Sequence, residues 1–110
     1  MNNACHSMDR GEILNLTQDD YPLYHALFYG SKVETAKFSK RVSCSIKHLP
    51  IRVFFDYEYN TLQAVEAGIS KDPTLVLDGA IFIEGLAQAE EIKEAFLKLP
   101  LKTALTNNRK

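Results

Sequence analysis

Two short apolar runs joined by Asp78-Gly79 constrain the fold of this chain more than any other stretch. The runs, Thr74–Leu77 and Ala80–Ile83, are too short for helices and are rich in β-branched or aromatic residues. An Asp-Gly pair tolerates positive φ at both central positions of a type I′ turn, the usual two-residue turn between hairpin strands. Pro73 opens the first run, at a strand start where a missing N–H is tolerated. The sequence therefore predicts a β-hairpin over residues 74–83.

Upstream of the hairpin, the pattern predicts a strand, a helix and a second strand. Leu23–Tyr29 and Ile51–Tyr57 are apolar, aromatic-rich runs of strand length. Between them, Ser31 and Glu34 have the spacing of a capping box, in which each side chain accepts from the other residue's amide. A helix should begin there and end before Pro50. Its apolar face consists of Phe38, Val42, Ile46 and Leu49.

The rest of the chain predicts two more helices. A short helix of about two turns fits between Asn60, a favoured N-cap, and Gly68, a favoured C-terminal residue. A final helix fits Gln88–Leu99, because acidic residues occupy its first turn and Pro100 follows it. The order is then β-α-β-α-β-β-α. A right-handed crossover makes the first two strands parallel, so we expect an α/β fold with a four-stranded mixed sheet and helices on both faces.

We expect one folded domain over residues 21–100, flanked by an N-terminal extension over 1–20 and a C-terminal tail over 101–110. The extension contains the apolar patch Ile13–Leu16, which fits an extra edge strand, a helical turn or an arm that covers a neighbouring subunit. The tail has the character of a frayed terminus.

Composition excludes several classes of function. The chain has 110 residues, and 13 basic residues are balanced by 14 acidic ones, so nothing indicates a nucleic-acid partner. The basic residues Lys37, Lys40, Arg41 and Lys47 fit one solvated helix face. No apolar run approaches the roughly 18 residues of a membrane span, and the first residues do not resemble a secretory signal. The expected location is cytoplasmic, where the two cysteines, Cys5 and Cys44, would be free thiols.

Several segments together resemble the small thioredoxin-like and glutaredoxin-like redox proteins. These segments are Phe28-Tyr29-Gly30, Leu49-Pro50-Ile51, Glu66-Ala67-Gly68-Ile69, the run from Asp72-Pro73 to Asp78-Gly79, and Glu90-Glu91-Ile92-Lys93. The resemblance covers about residues 23 to 99 and is most specific in the second half. It implies a thioredoxin-like fold with a cis Asp72–Pro73 peptide bond beside the functional site.

The chain departs from that family at the start of the first helix. Where the family has Cys-x-x-Cys, this chain has Val33-Glu34-Thr35-Ala36, so both the nucleophilic thiol and the resolving thiol are missing. If Ser31 and Glu34 close a capping box, they also occupy the amides that would stabilise a thiolate. The pattern indicates a redox site converted to structural capping, so we do not expect an enzyme.

The leading hypothesis is a redox-inactive thioredoxin-like binding domain that needs no cofactor. Its groove near the predicted cis-proline would receive an extended peptide or another protein subunit. The residues assigned to this binding site are Gly30, Ser31, Val33, Asp72 and Pro73.

Two alternatives remain open. The first is a glutathione- or single-thiol-dependent redox or transferase protein. It would use Ser31 as a hydroxyl or Cys44 as a reactive thiol on the charged helix face, although capping and an incidental exposed cysteine are the simpler explanations. The second is a dimeric scaffold, because aromatic residues over Phe54–Tyr59 would lie on an edge strand that another chain can pair with. Cys5-His6 lacks a second spaced pair of ligands, so no metal site is assigned.

Overall fold

The computed structural model describes residues 7–100, and their backbone forms one mixed five-stranded sheet with three helices. The elements in chain order are β1 (Ile13–Leu14), β2 (Leu23–Tyr29), α1 (Lys32–Ile46), β3 (Arg52–Glu58), α2 (Thr61–Glu66), β4 (Thr74–Leu77), β5 (Ala80–Glu84) and α3 (Ala89–Leu97). Their spatial order in the sheet is β1-β3-β2-β4-β5. The α/β class and the predicted order of elements after residue 21 are confirmed.

The pairing directions also follow the sequence prediction. β2 and β3 are parallel, with Leu23 opposite Arg52 and Tyr29 opposite Glu58, as a right-handed strand-helix-strand unit requires. β4 pairs antiparallel with both β2 and β5. Asp78 and Gly79 have φ values of 49° and 86°, so both turn residues take the positive values that a type I′ turn needs. The hairpin is confirmed.

The predicted count of four strands is wrong, because the N-terminal extension supplies β1. Ile13 and Leu14 pair antiparallel with Phe54 and Val53. The segment before β1 adds a hydrogen bond from the amide of Gly11 to the carbonyl of Phe55, 2.8 Å long. Of the three interpretations of the apolar patch Ile13–Leu16, the edge strand is the one that the structure shows. A two-residue strand has no periodicity of its own, so only its pairing with β3 defines it.

The pairing of β1 with β3 also corrects the prediction that the aromatic residues over Phe54–Tyr59 lie on an edge strand. β3 lies between β1 and β2, so the aromatic residues of β3 do not form a free strand edge. In the described part of the chain, the two outermost strands are β1 and β5. The argument for dimerisation through an edge at Phe54–Tyr59 therefore loses its structural basis.

The core lies between the sheet and the pair α1 and α3. Alternate residues of β2 and β3 are buried, as the two-residue period of a strand predicts. Phe28 lies at the centre, with its ring stacked on Phe55 and edge-to-face with Phe38, each at 5.6 Å between centroids. Phe38, Val42 and Ile46 of α1 are fully buried, which confirms these three positions of the predicted apolar face, whereas Leu49 lies beyond the end of α1.

Helix α2 differs from α1 and α3, because none of its six residues is buried. All buried helix side chains in the described residues come from α1 and α3, which pack against each other. Burial therefore does not support the expectation that α2 covers the second face of the sheet. Within residues 7–100, no helix has the length and apolar character needed to cross a membrane.

Candidate binding site

Three of the predicted site residues meet where β2 passes into α1. Tyr29 pairs with Thr74, which brings the loop after β2 beside the segment that leads into β4. The backbone amide of Ser31 donates a 3.0 Å hydrogen bond to Oδ1 of Asp72. The structure therefore joins two segments that are 41 positions apart, as the predicted site requires.

Gly30 is the residue that allows this close approach. Its φ is +142°, a value that side chains of L-residues disfavour. A Cβ atom at this position would lie 2.0 Å from Oδ1 of Asp72 and 3.3 Å from Cα of Pro73. Only glycine fits without moving the Asp72 carboxylate, so Gly30 and Asp72 act as a matched pair.

The predicted capping box at α1 is only half formed. Oγ of Ser31 accepts a 3.3 Å hydrogen bond from the amide of Glu34, which confirms Ser31 as the N-cap. The return bond from Ser31 to Glu34 is absent, because Asp72 accepts from the Ser31 amide instead. The Glu34 carboxylate lies 3.6 Å from Nζ of Lys37. The Ser31 amide therefore donates to the Asp72 carboxylate and not to the Glu34 carboxylate that the sequence pattern predicted.

The Asp72–Pro73 peptide bond is cis, as the resemblance implied. Pro73 is fully buried beneath the site, whereas Asp72 is exposed. Val33 is 64% exposed on the first turn of α1 and does not line the cavity described next. Of the five predicted residues, Gly30, Ser31 and Asp72 therefore form the site, Pro73 supports it, and Val33 lies at its edge.

A cavity of about 390 Å³ extends from Ser31 and Asp72 to α2. The sequence prediction missed most of its wall, which α2 and the segments on either side of it supply: Tyr59, Asn60, Thr61, Ala64, Val65, Ile69, Ser70 and Lys71. The sequence feature that could have indicated this wall is the pair Leu62 and Val65. These two residues are apolar and at helical spacing, in a helix too short to bury them. They are 62% and 68% exposed.

Three carboxylates at or near this cavity have a hydrogen-bond or ion-pair partner. Asp72 accepts from Ser31, and Oε2 of Glu58 accepts from the amide of Asn60 at 3.0 Å. Asp56 forms a 2.9 Å ion pair with Nε of Arg10. These contacts orient the three carboxylates, and Asp72 and Glu58, which accept from neutral amides, keep their negative charge.

Cations surround the Tyr59 ring at the cavity wall. Nζ of Lys32 lies 5.6 Å from the ring centroid, and the guanidinium carbon of Arg10 lies 5.9 Å from it. The Tyr59 ring also stacks on Tyr57 at 6.1 Å. These contacts hold an aromatic ring that is 41% exposed in a defined orientation.

The prediction that Cys44 is a free thiol is wrong. Cys44 is half-buried and disulfide-bonded, so it is not available as a nucleophile in this state. The only other cysteine in the sequence is Cys5, which lies outside the described residues. Disulfides persist mainly in oxidising compartments, so this bond does not agree with the expected cytoplasmic location, which stays a prediction.

Only some of the predicted basic residues of α1 are solvated. Lys37 and Lys40 are exposed, but Arg41 is half-buried and donates a 2.8 Å hydrogen bond to the carbonyl of Ala87. Among residues 7–100, no group of three or more His, Cys, Asp or Glu side chains is arranged to hold a metal ion. Cys5-His6 lies outside that range.

Two further cavities lie at the opposite end of the strands, with volumes of about 390 and 450 Å³. Both are bordered by Tyr24, Leu99 and Pro100. Burial raises the pKa of Tyr24, and the negative charge of Asp78 adds to that effect. These cavities do not include any of the residues that the sequence assigned to a site.

Compared with protein-family models and with curated proteins, the chain matches none. The geometry at Ser31 and Asp72 therefore carries the functional argument. That geometry combines a helix start at which two amides have internal acceptors with an adjoining open cavity.

Proposed function

We propose that this chain is a thioredoxin-like domain that binds an extended segment of a partner protein beside Asp72 and carries out no thiol chemistry there. The resemblance of the sequence, the order of the elements and the cis Asp72–Pro73 bond all support this assignment. The additional strand β1 lies at the edge of the sheet next to β3 and does not separate β2 from β4, the strands that flank the site.

The observation that carries the proposal is the Ser31–Asp72 hydrogen bond. In the related redox proteins, the start of this helix activates a thiolate by offering it free amides. Here the amide of Ser31 is bonded to Asp72, and the amide of Glu34 is bonded to Oγ of Ser31. Two amides at the helix start are therefore bonded within the chain, while the cavity beside it is open to a ligand.

Backbone groups next to the cavity are available for strand addition. Within residues 7–100, neither the amide nor the carbonyl of Asp72 bonds to another backbone group. β4 begins two residues later, at Thr74. An extended segment that pairs with Asp72 would gain main-chain hydrogen bonds, and its alternate side chains would face the cavity.

The single-thiol alternative needs a chemically available group at Ser31 or Cys44. Oγ of Ser31 serves as the N-cap of α1, and Cys44 is disulfide-bonded. Both groups are therefore already engaged, and we do not adopt this alternative.

A display selection of random peptides on the folded chain tests the proposal. Selected peptides should perturb the amide resonances of Ser31, Lys71 and Asp72 in an NMR titration. Each peptide is then N-methylated at one residue at a time. Methylation at alternate positions should weaken binding by about tenfold, because each such change removes one main-chain hydrogen bond, whereas methylation at the intervening positions should not.

Two results would contradict the proposal. One is a selection that yields no peptide with saturable binding to the folded chain. The other is a set of binders whose perturbations fall away from Ser31 and Asp72, for example at the cavities beside Tyr24.

A further inference from the structure

We infer that the segment bound in this groove is acidic, with an apolar side chain on the α2 side of the cavity and carboxylates that reach Lys32 and Lys71. The inference rests on the proposed function and adds the chemical class of the ligand.

The apolar part of the inference follows from side chains that the fold leaves uncovered. In the described residues, seven large hydrophobic side chains are exposed: Leu16, Val33, Tyr59, Leu62, Val65, Ile81 and Leu97. Two of them, Tyr59 and Val65, line the cavity, and Leu62 lies on the same helix as Val65. Exposed apolar side chains at a cavity are typical of an interaction surface.

Helix α2 strengthens this point. A six-residue helix is too short to be stable alone and normally depends on packing of an apolar face. Here none of its residues is buried, although Ala64 and Val65 line the cavity. An apolar side chain of a ligand that entered the cavity between Val65 and Tyr59 would supply the missing contact.

The acidic part of the inference follows from a difference between the charged groups near the cavity. Three carboxylates there have hydrogen-bond or ion-pair donors, whereas two lysines have no carboxylate partner in the described part of the chain. The carboxylates of Asp56, Glu58 and Asp72 are held by a guanidinium group or a backbone amide. In residues 7–100, no ion pair joins Lys32 or Lys71 to a carboxylate. Lys71 lines the cavity, and Lys32 lies above the Tyr59 ring that also lines it.

The two lysines therefore present positive charge beside an apolar cavity whose described lining contains one carboxylate, that of Asp72, which accepts from the Ser31 amide. A segment with carboxylates on either side of an apolar residue complements this arrangement, whereas a basic segment would meet unpaired like charge. A nucleic acid does not fit equally well, because the chain has no excess of basic residues to neutralise a phosphate backbone.

The test compares peptides selected from a random display library on the native chain with those selected on a Lys32→Glu/Lys71→Glu variant. Peptides from the native chain should be enriched in Asp and Glu next to a Leu, Val or Phe. Their affinity should fall by about tenfold on the double variant and should weaken with added salt. A Lys93→Glu/Lys98→Glu variant is the matched control, because it makes the same charge change on two exposed residues, one in α3 and one at its C-cap.

The outcomes separate this inference from the proposed function. Peptides that perturb Ser31 and Asp72 but show no acidic enrichment, or that bind both double variants equally, overturn the inference and keep the proposed function. Absence of any binder at the groove overturns both. Val65→Ser should also reduce affinity for the acidic peptides. An unchanged affinity on that variant would overturn the apolar part of the inference.

Discussion

At the scale of single residues, the structure depends on a few groups that could not be exchanged for similar ones. Gly30 leaves the space that the Asp72 carboxylate fills. Asn15 has a positive φ of 62°, and its Nδ2 atom donates to the carbonyl of Ile51 at 2.9 Å. Tyr57 is buried, and its hydroxyl donates to the carbonyl of Met8. Each of these residues ties a loop or a terminal segment to the sheet.

Gly30→Ala should lower the free energy of unfolding by about 1–3 kcal/mol, the usual range for a residue held in a disfavoured backbone conformation. Gly11→Ala is the matched control, because Gly11 also has a positive φ, of 88°, but has no atom within 4 Å of the added Cβ. Chemical denaturation of both variants measures the difference, and the loss at Gly30 should be larger.

Adding Asp72→Ala to Gly30→Ala should recover part of that loss, because it removes the atom that the new Cβ would meet. Equal losses for Gly30→Ala and Gly11→Ala, with no recovery in the double variant, would show that the Asp72 contact is unimportant.

Tyr57→Phe should weaken the alkaline destabilisation of the protein. Burial raises the pKa of the Tyr57 phenol, and a hydrogen bond with Ser39 opposes this in part. As the pH rises through about 10, the unfolded phenol loses its proton before the folded one. The unfolded state then binds fewer protons, so the free energy of unfolding falls with rising pH.

The measurement is the free energy of unfolding at several pH values from neutral to strongly alkaline. The variant should start lower at neutral pH by about 1 kcal/mol, because it loses the bond to Met8. Its stability should then fall less steeply above about pH 10. Parallel curves for the two proteins would rule out a raised pKa for this phenol.

At the scale of secondary-structure elements, α1 and α2 show how burial decides what a helix contributes. Both have an N-cap side chain that accepts from the third helical amide: Ser31 accepts from Glu34, and Asn60 accepts from Gln63. α1 buries Phe38, Val42 and Ile46, whereas α2 buries nothing. The same local signal therefore supports a core element in one case and a surface element in the other.

Removing the two caps should have different results. Ser31→Ala should lower the global free energy of unfolding by about 1 kcal/mol, because α1 unfolds together with the core. Asn60→Ala should leave global stability almost unchanged and increase hydrogen exchange over Thr61–Glu66 only. Denaturation and native-state hydrogen exchange check both statements, and an equal global loss from the two variants would contradict them.

At the scale of the whole molecule, the N-terminal segment is joined to the domain. Met8 is buried in the core cluster, and β1 extends the sheet beyond β3. Cys44 on α1 is disulfide-bonded. We therefore expect this disulfide bridge to contribute to the stability of the domain.

Cys44→Ser should lower the free energy of unfolding by about 2–4 kcal/mol, the typical contribution of a disulfide. Treatment of the native protein with a reductant should have the same effect and should leave the variant unchanged. Mass spectrometry with iodoacetamide should find no modified cysteine before reduction. Rapid labelling of Cys44 in the untreated protein would contradict the bridge.

Local chemistry was enough to predict much of this fold. The Asp-Gly turn, the proline boundaries and the apolar spacing in α1 act over a few residues, so they can be read directly from the sequence. β2 and β4 have the predicted bounds, Leu23–Tyr29 and Thr74–Leu77. The pairing of Gly30 and Ser31 with Asp72 came from the resemblance to a family, because no local pattern specifies a contact across 41 positions.

What the sequence alone determined is the type and order of the elements from Leu23 onward and the absence of paired cysteines at the start of α1. Tertiary structure decided the fifth strand, the bonded state of Cys44 and the acceptor of the Ser31 amide. It also assembled the cavity between Asp72 and α2. These features depend on groups that come into contact only after the chain folds. No local sequence pattern can therefore predict them.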